Sequence, residues 1–181
     1  MQTLPDLIDR NLVILSIGLN PSLPAVAAGY YFAGHNNRFW RALNASGLAG
    51  RSLEPGAESC RYLLEHRRIG LTDVVKRPSR GAGDLRAADF RAWVPDLEQR
   101  IARAAPAVLW FHGKVAYGHY LKCRQQPATA IDWGLQPECQ QGAQVFLSPN
   151  PSAANAVFCL DDLVAYYNDL LTLYRQVAAP G

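Results

Sequence analysis

The chain of 181 residues has one methionine and only three lysines, and its four cysteines never form a C-x-x-C pair. Cys60, Cys123, Cys139 and Cys159 lie 63, 16 and 20 positions apart, which is not a zinc or iron–sulfur spacing. His35, His66, His112 and His119 are just as scattered, so no metal site is expected. Reduced, buried and inert cysteines are expected instead. No stretch of about eighteen uncharged apolar residues exists, so no membrane-spanning helix is expected. Also missing are G-x-G-x-x-G after the first apolar run, G-x-x-x-x-G-K-[ST], and the G-x-S-x-G of serine hydrolases. Dinucleotide, nucleoside-triphosphate and serine-nucleophile chemistry therefore lack their usual residues. The first residues put acids ahead of the apolar run, unlike a secretory signal, and a cytoplasmic location is expected.

What is present suits a globular protein. Hydrophobic residues make up 49% of the chain, enough to exclude a disordered one. The length fits one domain over residues 1–181, and no repeat or linker interrupts it. Net charge is only +3, but fifteen of the eighteen cations are arginine, the side chain that meets phosphate with a planar fork. Between residues 61 and 86 stand seven cations (Arg61, Arg67, Arg68, Lys76, Arg77, Arg80, Arg86) against Glu65, Asp73 and Asp84. Such an excess can face a phosphate backbone, or can be an ordinary solvated helix face and loop.

The hydrophobic pattern alternates strand and helix. Residues 12–19 (LVILSIGL) form a continuous apolar run, as in a strand buried on both faces. Pro21 and Pro24 predict a loop after it. Helices are predicted from 38 to about 46, capped by Asn37 and stopped by Gly47, and over 59–68. A short strand is predicted at 71–75, then a turn-rich RPSRGAGD. Residues 85–104 predict a helix that Pro95 kinks or splits. A third strand (107–111), a helix (114–122), a fourth strand (145–147) and a closing amphipathic helix (160–177) complete the pattern. Such alternation predicts an α/β fold, a parallel sheet covered on both faces, with ligands bound beyond the carboxyl ends of its strands.

Two of those predicted strand ends carry related signatures, GLNPS at 18–22 and PNPS at 149–152. Asn20 presents both an acceptor and a donor, so it can orient water; alternatively it forms a turn with Pro21. Tyr30, Tyr31 and Phe32 stand in a row between glycines, where helix packing does not explain them. Loop aromatics suit stacking on a nucleobase, or else a small satellite core. Asp73, at the second strand, can stabilise a developing oxocarbenium ion or polarise water, or merely cap the element. His112, after the third strand, can touch a phosphate or serve structurally.

Together, GLNPSL at 18–23, GYYFAGHNNRFW at 29–40 and NPS at 150–152 resemble the mismatch-specific uracil/thymine DNA glycosylases of the uracil-DNA glycosylase superfamily, over about residues 10–175. The resemblance implies a three-layer α/β/α sandwich around a short, mostly parallel four-stranded sheet. It implies removal of uracil, and variably thymine or other damaged pyrimidines, from double-stranded DNA mispaired with guanine, by a monomer with no metal or cofactor. It assigns Asn20 to placing the hydrolytic water and Phe32 to stacking on the flipped base. Leu19 falls in the base pocket through its backbone, and Ala25 near the pyrimidine 5-substituent. Asn150, Pro151 and Ser152 match the motif that grips DNA, and Ala153, Ala154 and Asn155 follow where a wedge loop runs.

Two positions depart from that pattern. Ser22 stands where the family has glycine. Ala153 and Ala154 replace a glycine and a bulky wedge, so Phe158 is an alternative filler of the gap left by a flipped base. Two other functions fit the residues. One is a broader uracil and hypoxanthine glycosylase in which Asp73 carries the water; the other is a lesion-binding module without catalysis.

Overall fold

The computed structural model describes residues 2–128 and 131–178. Five strands form one sheet in the order β2-β1-β3-β5-β4. They are β1 (Ile14–Gly18), β2 (Ile69–Asp73), β3 (Val108–His112), β4 (Gly134–Leu135) and β5 (Gln144–Ser148). The first, second, third and fifth run parallel; β4 pairs antiparallel with β5 at the edge. The expected sheet had four strands. The fifth is two residues long, too short to leave a period-2 pattern.

Among the described residues there are six α-helices: α1 (Leu23–Ala28), α2 (Phe39–Ser46), α3 (Ala57–Arg67), α4 (Ala87–Ala104), α5 (Lys114–Cys123) and α6 (Leu160–Ala178). Alternate strand residues divide the core in two. Ile14, Leu71, Trp110 and Phe146 pack with Phe39, Leu43, Leu63 and Tyr167 of α2, α3 and α6. Leu15, Ile17, Phe111 and Leu147 pack with Phe90, Val94, Leu97 and Tyr120 of α4 and α5. The arrangement is the three-layer α/β/α sandwich.

Three expectations are corrected. Residues 23–28 are a helix, not a loop. Ser22 caps it, its Oγ accepting from Ala25 N at 3.2 Å, and Pro24 lies in the first turn, where a missing N–H costs nothing. Gly29 ends it in the left-handed region. Helix α4 is one element through Pro95, not two, with Phe90, Val94, Leu97 and Ile101 burying the turns on both sides. Of the cysteines only Cys60 is buried; Cys123 is half-buried, and Cys139 and Cys159 are exposed. Strand β2 begins two residues early, yet Val74 and Val75 still donate to the carbonyls of Gly18 and Leu19. The N-cap position of α2 is Arg38, without a side-chain cap bond; Asn37 stands one residue before it, its Oδ1 accepting from Phe39 N at 2.9 Å. No helix among the described residues is long and apolar enough to cross a membrane.

The N-terminal segment is riveted to the sheet by charge. Asp6 Oδ1 accepts from Lys76 Nζ at 2.8 Å and Thr72 Oγ1 at 2.6 Å, with Arg100 Nη1 at 3.5 Å. Lys76 and Arg100 are almost wholly buried. Removing the carboxylate leaves the buried Lys76 without its anion, while Arg100 keeps Asp96 at 3.0 Å; stripping one partner from a buried pair typically costs about 3–5 kcal/mol. Asp6→Ala is therefore expected to lower stability by about 3 kcal/mol, read as a lower urea midpoint at unchanged slope. A loss under about 1 kcal/mol would show that water reaches the pair.

Candidate functional site

All four parallel strands end at one cleft of about 560 Å³. Gly18, Leu19 and Asn20 reach it from β1, Asp73 from β2, His112 from β3, and Asn150 lies just beyond β5. Ala25 from α1, Phe32 and the segment 79–82 line its sides, with Ser152, Ala153, Ala154 and Asn155 at another edge. The structure thus brings together every singled-out site residue except Pro151, which is buried outside the cleft, its carbonyl accepting from Arg38.

Asn20 is held in one orientation. Its Nδ2 donates to Ser79 Oγ at 2.8 Å, to the Arg77 carbonyl at 3.0 Å and to the Pro21 carbonyl at 3.3 Å. Ser79 Oγ in turn donates to the Gly81 carbonyl at 2.8 Å, which makes it an acceptor toward Asn20. With Nδ2 occupied, Oδ1 is the acceptor left for a ligand. Ser79 lies in the stretch read as a plain turn. Its backbone pairs with residues 21–23, Ser79 N donating to Pro21 O and Leu23 N to Ser79 O. Only that pairing puts its hydroxyl on Asn20, and nothing in the sequence spacing announces it.

Phe32 sits half-buried at φ +60°, a left-handed conformation rare outside glycine. Its ring stacks on Phe39, with centroids 3.8 Å apart and planes at 11°. The preceding residue anchors the turn: Tyr31 OH donates to the Pro5 carbonyl and accepts from Lys76 Nζ. Backbone strain held from both sides on a residue facing a cleft points toward a working role.

Asp73 is buried at 4% exposure. A Cβ on Gly18 would come 2.3 Å from its Oδ1, so a larger residue at the end of β1 would displace the Asp73 carboxyl. Its Oδ2 has no hydrogen-bond partner. Burial pushes its carboxyl up to about 7; Lys76 and Arg100 oppose that shift and Asp6 adds to it. His112 is buried too, with Nε2 at 2.8 Å from Ser16 Oγ and Nδ1 unpartnered. Burial pulls its imidazole down to about 3, so it is neutral. It belongs to the cleft floor, out of reach of a phosphate backbone outside.

The loop after β5 is pinned by one arginine. Arg38 Nη2 donates to the carbonyls of Ser152 at 2.7 Å and Asn155 at 2.8 Å, and Nη1 to that of Phe158. Asn150 Oδ1 accepts from Ser152 N at 2.9 Å, and Asn155 Nδ2 donates back to the Asn150 carbonyl. Phe158 is half-buried against Trp133 and Tyr166, so it is not the free side chain of this loop. Val157 is, at 83% exposure. The run of cations does not form one patch. Lys76 is buried on Asp6, Arg77 grips Asp89 with two bonds of 2.8 Å, and of the seven only Arg80 lines the cleft. Among the described residues no three His, Cys, Asp or Glu side chains group as a metal site requires.

The Asp73 carboxyl gives a pH signature. Unfolded it ionises near 3.8, folded near about 7, so between those values the unfolded chain loses its proton first. Stability therefore falls as pH rises through that window, by up to about 1.4 kcal/mol per pH unit, and levels off above it. Asp73→Asn removes the effect. Its melting temperature relative to the unsubstituted protein is expected to climb from about pH 4 to about pH 8. A constant difference would mean that Asp73 is solvated.

The sequence model of the uracil DNA glycosylase superfamily matches residues 5–171. Among solved structures, the chain is similar to the solution NMR structure of a "putative Uracil DNA glycosylase" from Methanosarcina acetivorans. The TM-score is 0.62 at 22% identity, covering 98% of each chain.

Proposed function

The chain belongs to the uracil DNA glycosylase superfamily, and from that premise we propose that it excises uracil, and other damaged pyrimidines including thymine, from mispairs with guanine in double-stranded DNA. The observation that carries this reading is the oriented Asn20 amide in the same cleft as Phe32. The target nucleotide leaves the duplex at a price of a few kcal/mol, which a mispair reduces. Its base stacks on the face of Phe32 away from Phe39. Ala25 leaves room beside it, and the backbone at Leu19 meets its polar edge. Asn20 Oδ1 accepts a hydrogen bond from water and aims its oxygen at C1′. That oxygen bonds to C1′ as the C1′–N bond breaks and its electron pair leaves with the base; the proton the water gives up passes to the departing base, which leaves a hydroxyl on C1′. Asparagine is a weak base, so the rate relies on positioning and on stabilising the departing base. Arg80, at the cleft edge, is placed to meet a phosphate.

Asn20→Ala is expected to lower single-turnover excision of uracil from a G·U duplex by at least about a hundredfold, with duplex affinity little changed. Full retention of the single-turnover rate would reduce Asn20 to a turn residue and sink this assignment.

The loop at 153–155 offers little apolar volume to the space a flipped base vacates. Ala153 and Ala154 are exposed at the cleft edge, and each absent buried methylene forgoes about 0.8 kcal/mol. Ala154→Leu is expected to tighten binding to an abasic duplex about tenfold and to slow multiple turnover, while single-turnover excision stays equal or rises. Unchanged abasic affinity would place the wedge elsewhere, with Val157 the exposed alternative.

A further inference from the structure

Lys76 is buried just beyond β2 and does not line the cleft, yet its contacts reach the supports of both Phe32 and Asn20. Its Nζ donates to Asp6 Oδ1 at 2.8 Å and to Tyr31 OH at 3.2 Å. Tyr31 OH donates in turn to the Pro5 carbonyl at 3.1 Å. The Lys76 main-chain carbonyl accepts from Thr3 Oγ1 at 2.6 Å. The next carbonyl along, that of Arg77, accepts from Asn20 Nδ2 at 3.0 Å. Segment 3–7 is therefore a strap, bonded to Leu71 through Leu7 and to Lys76 through Thr3 and Asp6. Resting on the glycosylase reading above, we propose that Lys76 is a positioning residue. Tied to this strap, it holds the stacking ring of Phe32 through Tyr31 and the water-placing amide of Asn20 through the Arg77 carbonyl.

The two branches work differently. Phe32 sits at φ +60°, a conformation that a non-glycine residue keeps only where its neighbours over-determine it. Phe39 bears on one face of its ring, and Tyr31 fixes the backbone just before it. The Tyr31 and Phe32 rings are tilted by 51° with centroids 6.4 Å apart, so the restraint passes through the chain and not through stacking. A phenol oxygen that donates to a carbonyl and accepts from an ammonium has its rotation fixed.

The Asn20 branch runs through the main chain. Residues 74 and 75 leave β2 alongside the end of β1, Val74 N donating to Gly18 O and Val75 N to Leu19 O. Beyond them the Arg77 side chain is gripped by Asp89, and Lys76 is gripped by the strap. The Arg77 carbonyl is thus held from both neighbours. A buried ammonium carries a desolvation cost that an apolar side chain avoids, so its use here favours placement over stability.

The test is single-turnover excision of uracil from a G·U duplex, read as a half-saturating protein concentration and a limiting rate. The first reports capture of the flipped base by Phe32, the second the placing of water by Asn20. The urea midpoint of each variant sets conditions under which it is fully folded. Tyr31→Phe, which deletes only the hydroxyl, is expected to raise half-saturation about fivefold and to keep the limiting rate within about twofold. Lys76→Met is expected to raise half-saturation as much and to lower the limiting rate about tenfold, and Lys76→Arg to recover both within about threefold. On a Phe32→Ala background, Tyr31→Phe is expected to move half-saturation by less than about twofold, since no ring remains to be placed. A merely structural role would lower the urea midpoint and leave both kinetic values unchanged, which overturns the proposal. An undiminished effect of Tyr31→Phe on the Phe32→Ala background also overturns it, because Tyr31 would then act on the duplex directly. If Lys76→Met does not fold, Tyr31→Phe still decides the Phe32 branch. Thr3→Val, which frees only the Lys76 carbonyl, then decides the Asn20 branch through a limiting rate about threefold lower. An unsubstituted protein that releases no uracil overturns both this proposal and the glycosylase reading, whereas an active protein with unaffected variants overturns this proposal alone.

Discussion

Parallel pairing of β1 with β2 and β3, and of β3 with β5, is the constraint from which the cleft follows. Parallel strands all finish at one edge, so whatever their last residues carry is delivered to one place. On the face toward α2 and α6 the last row reads Asp73, Gly18, His112, Ser148, with no large apolar side chain. The row before it holds Leu71, Trp110 and Phe146 with Ser16 among them. The opposite face ends in Ile17, Phe111 and Leu147, with Thr72 of β2 as the polar member of that row, bonded to Asp6 and Arg100 away from the cleft. The polar end of the first face is the corner that meets the cleft. Within it Ser16 serves His112 and Ser148 serves Trp110 Nε1 at 2.8 Å, while Asp73 Oδ2 and His112 Nδ1 stay buried without partners.

The edges of the cleft are made rigid by groups that never touch a ligand in this arrangement. Ser79 and the Arg77 carbonyl fix the Asn20 amide, Tyr31 and Phe39 fix Phe32, and Arg38 fixes the loop after β5 through its carbonyls. The ties on Asn20 and on the loop are long-range, between residues 57 to 59 apart for Asn20 and 114 to 117 apart for Arg38, while Phe39 is local to Phe32. Rotational freedom is removed from the working groups during folding, so it need not be removed again when a substrate binds.

That geometry explains what was legible in the sequence. Layer order, strand identity and the two Asn-Pro signatures were readable, because burial on both faces leaves an apolar run and a strand end leaves a turn dipeptide. Asn20, Phe32, Asp73 and Asn150 were placed at strand ends or loops, and all four line one cleft. Helix α1 was missed because two prolines near its start read as a loop, although a proline suits a first turn. Ser79, Arg38 and the floor position of His112 were not legible. Their contacts depend on segments brought together from far along the chain, and no local period records that. The arginine-rich stretch misled in the other direction, since charge counted along a sequence does not show which cations are already paired inside.

The floor of the cleft is almost free of net charge, and this fits the reaction proposed for it. Asn20 is neutral by nature, His112 is neutral because burial forbids its cation, and Asp73 is pushed toward its neutral acid. A base that departs with the glycosidic electron pair carries negative charge onto its ring carbonyls. A fixed negative charge in the cleft would oppose that charge and raise the barrier, whereas a neutral acid does not. Positive charge is kept at the edge, at Arg80, where phosphates would lie and where it cannot bind the departing base too tightly. Burial, not an opposing ion, therefore sets the protonation states of the cleft floor.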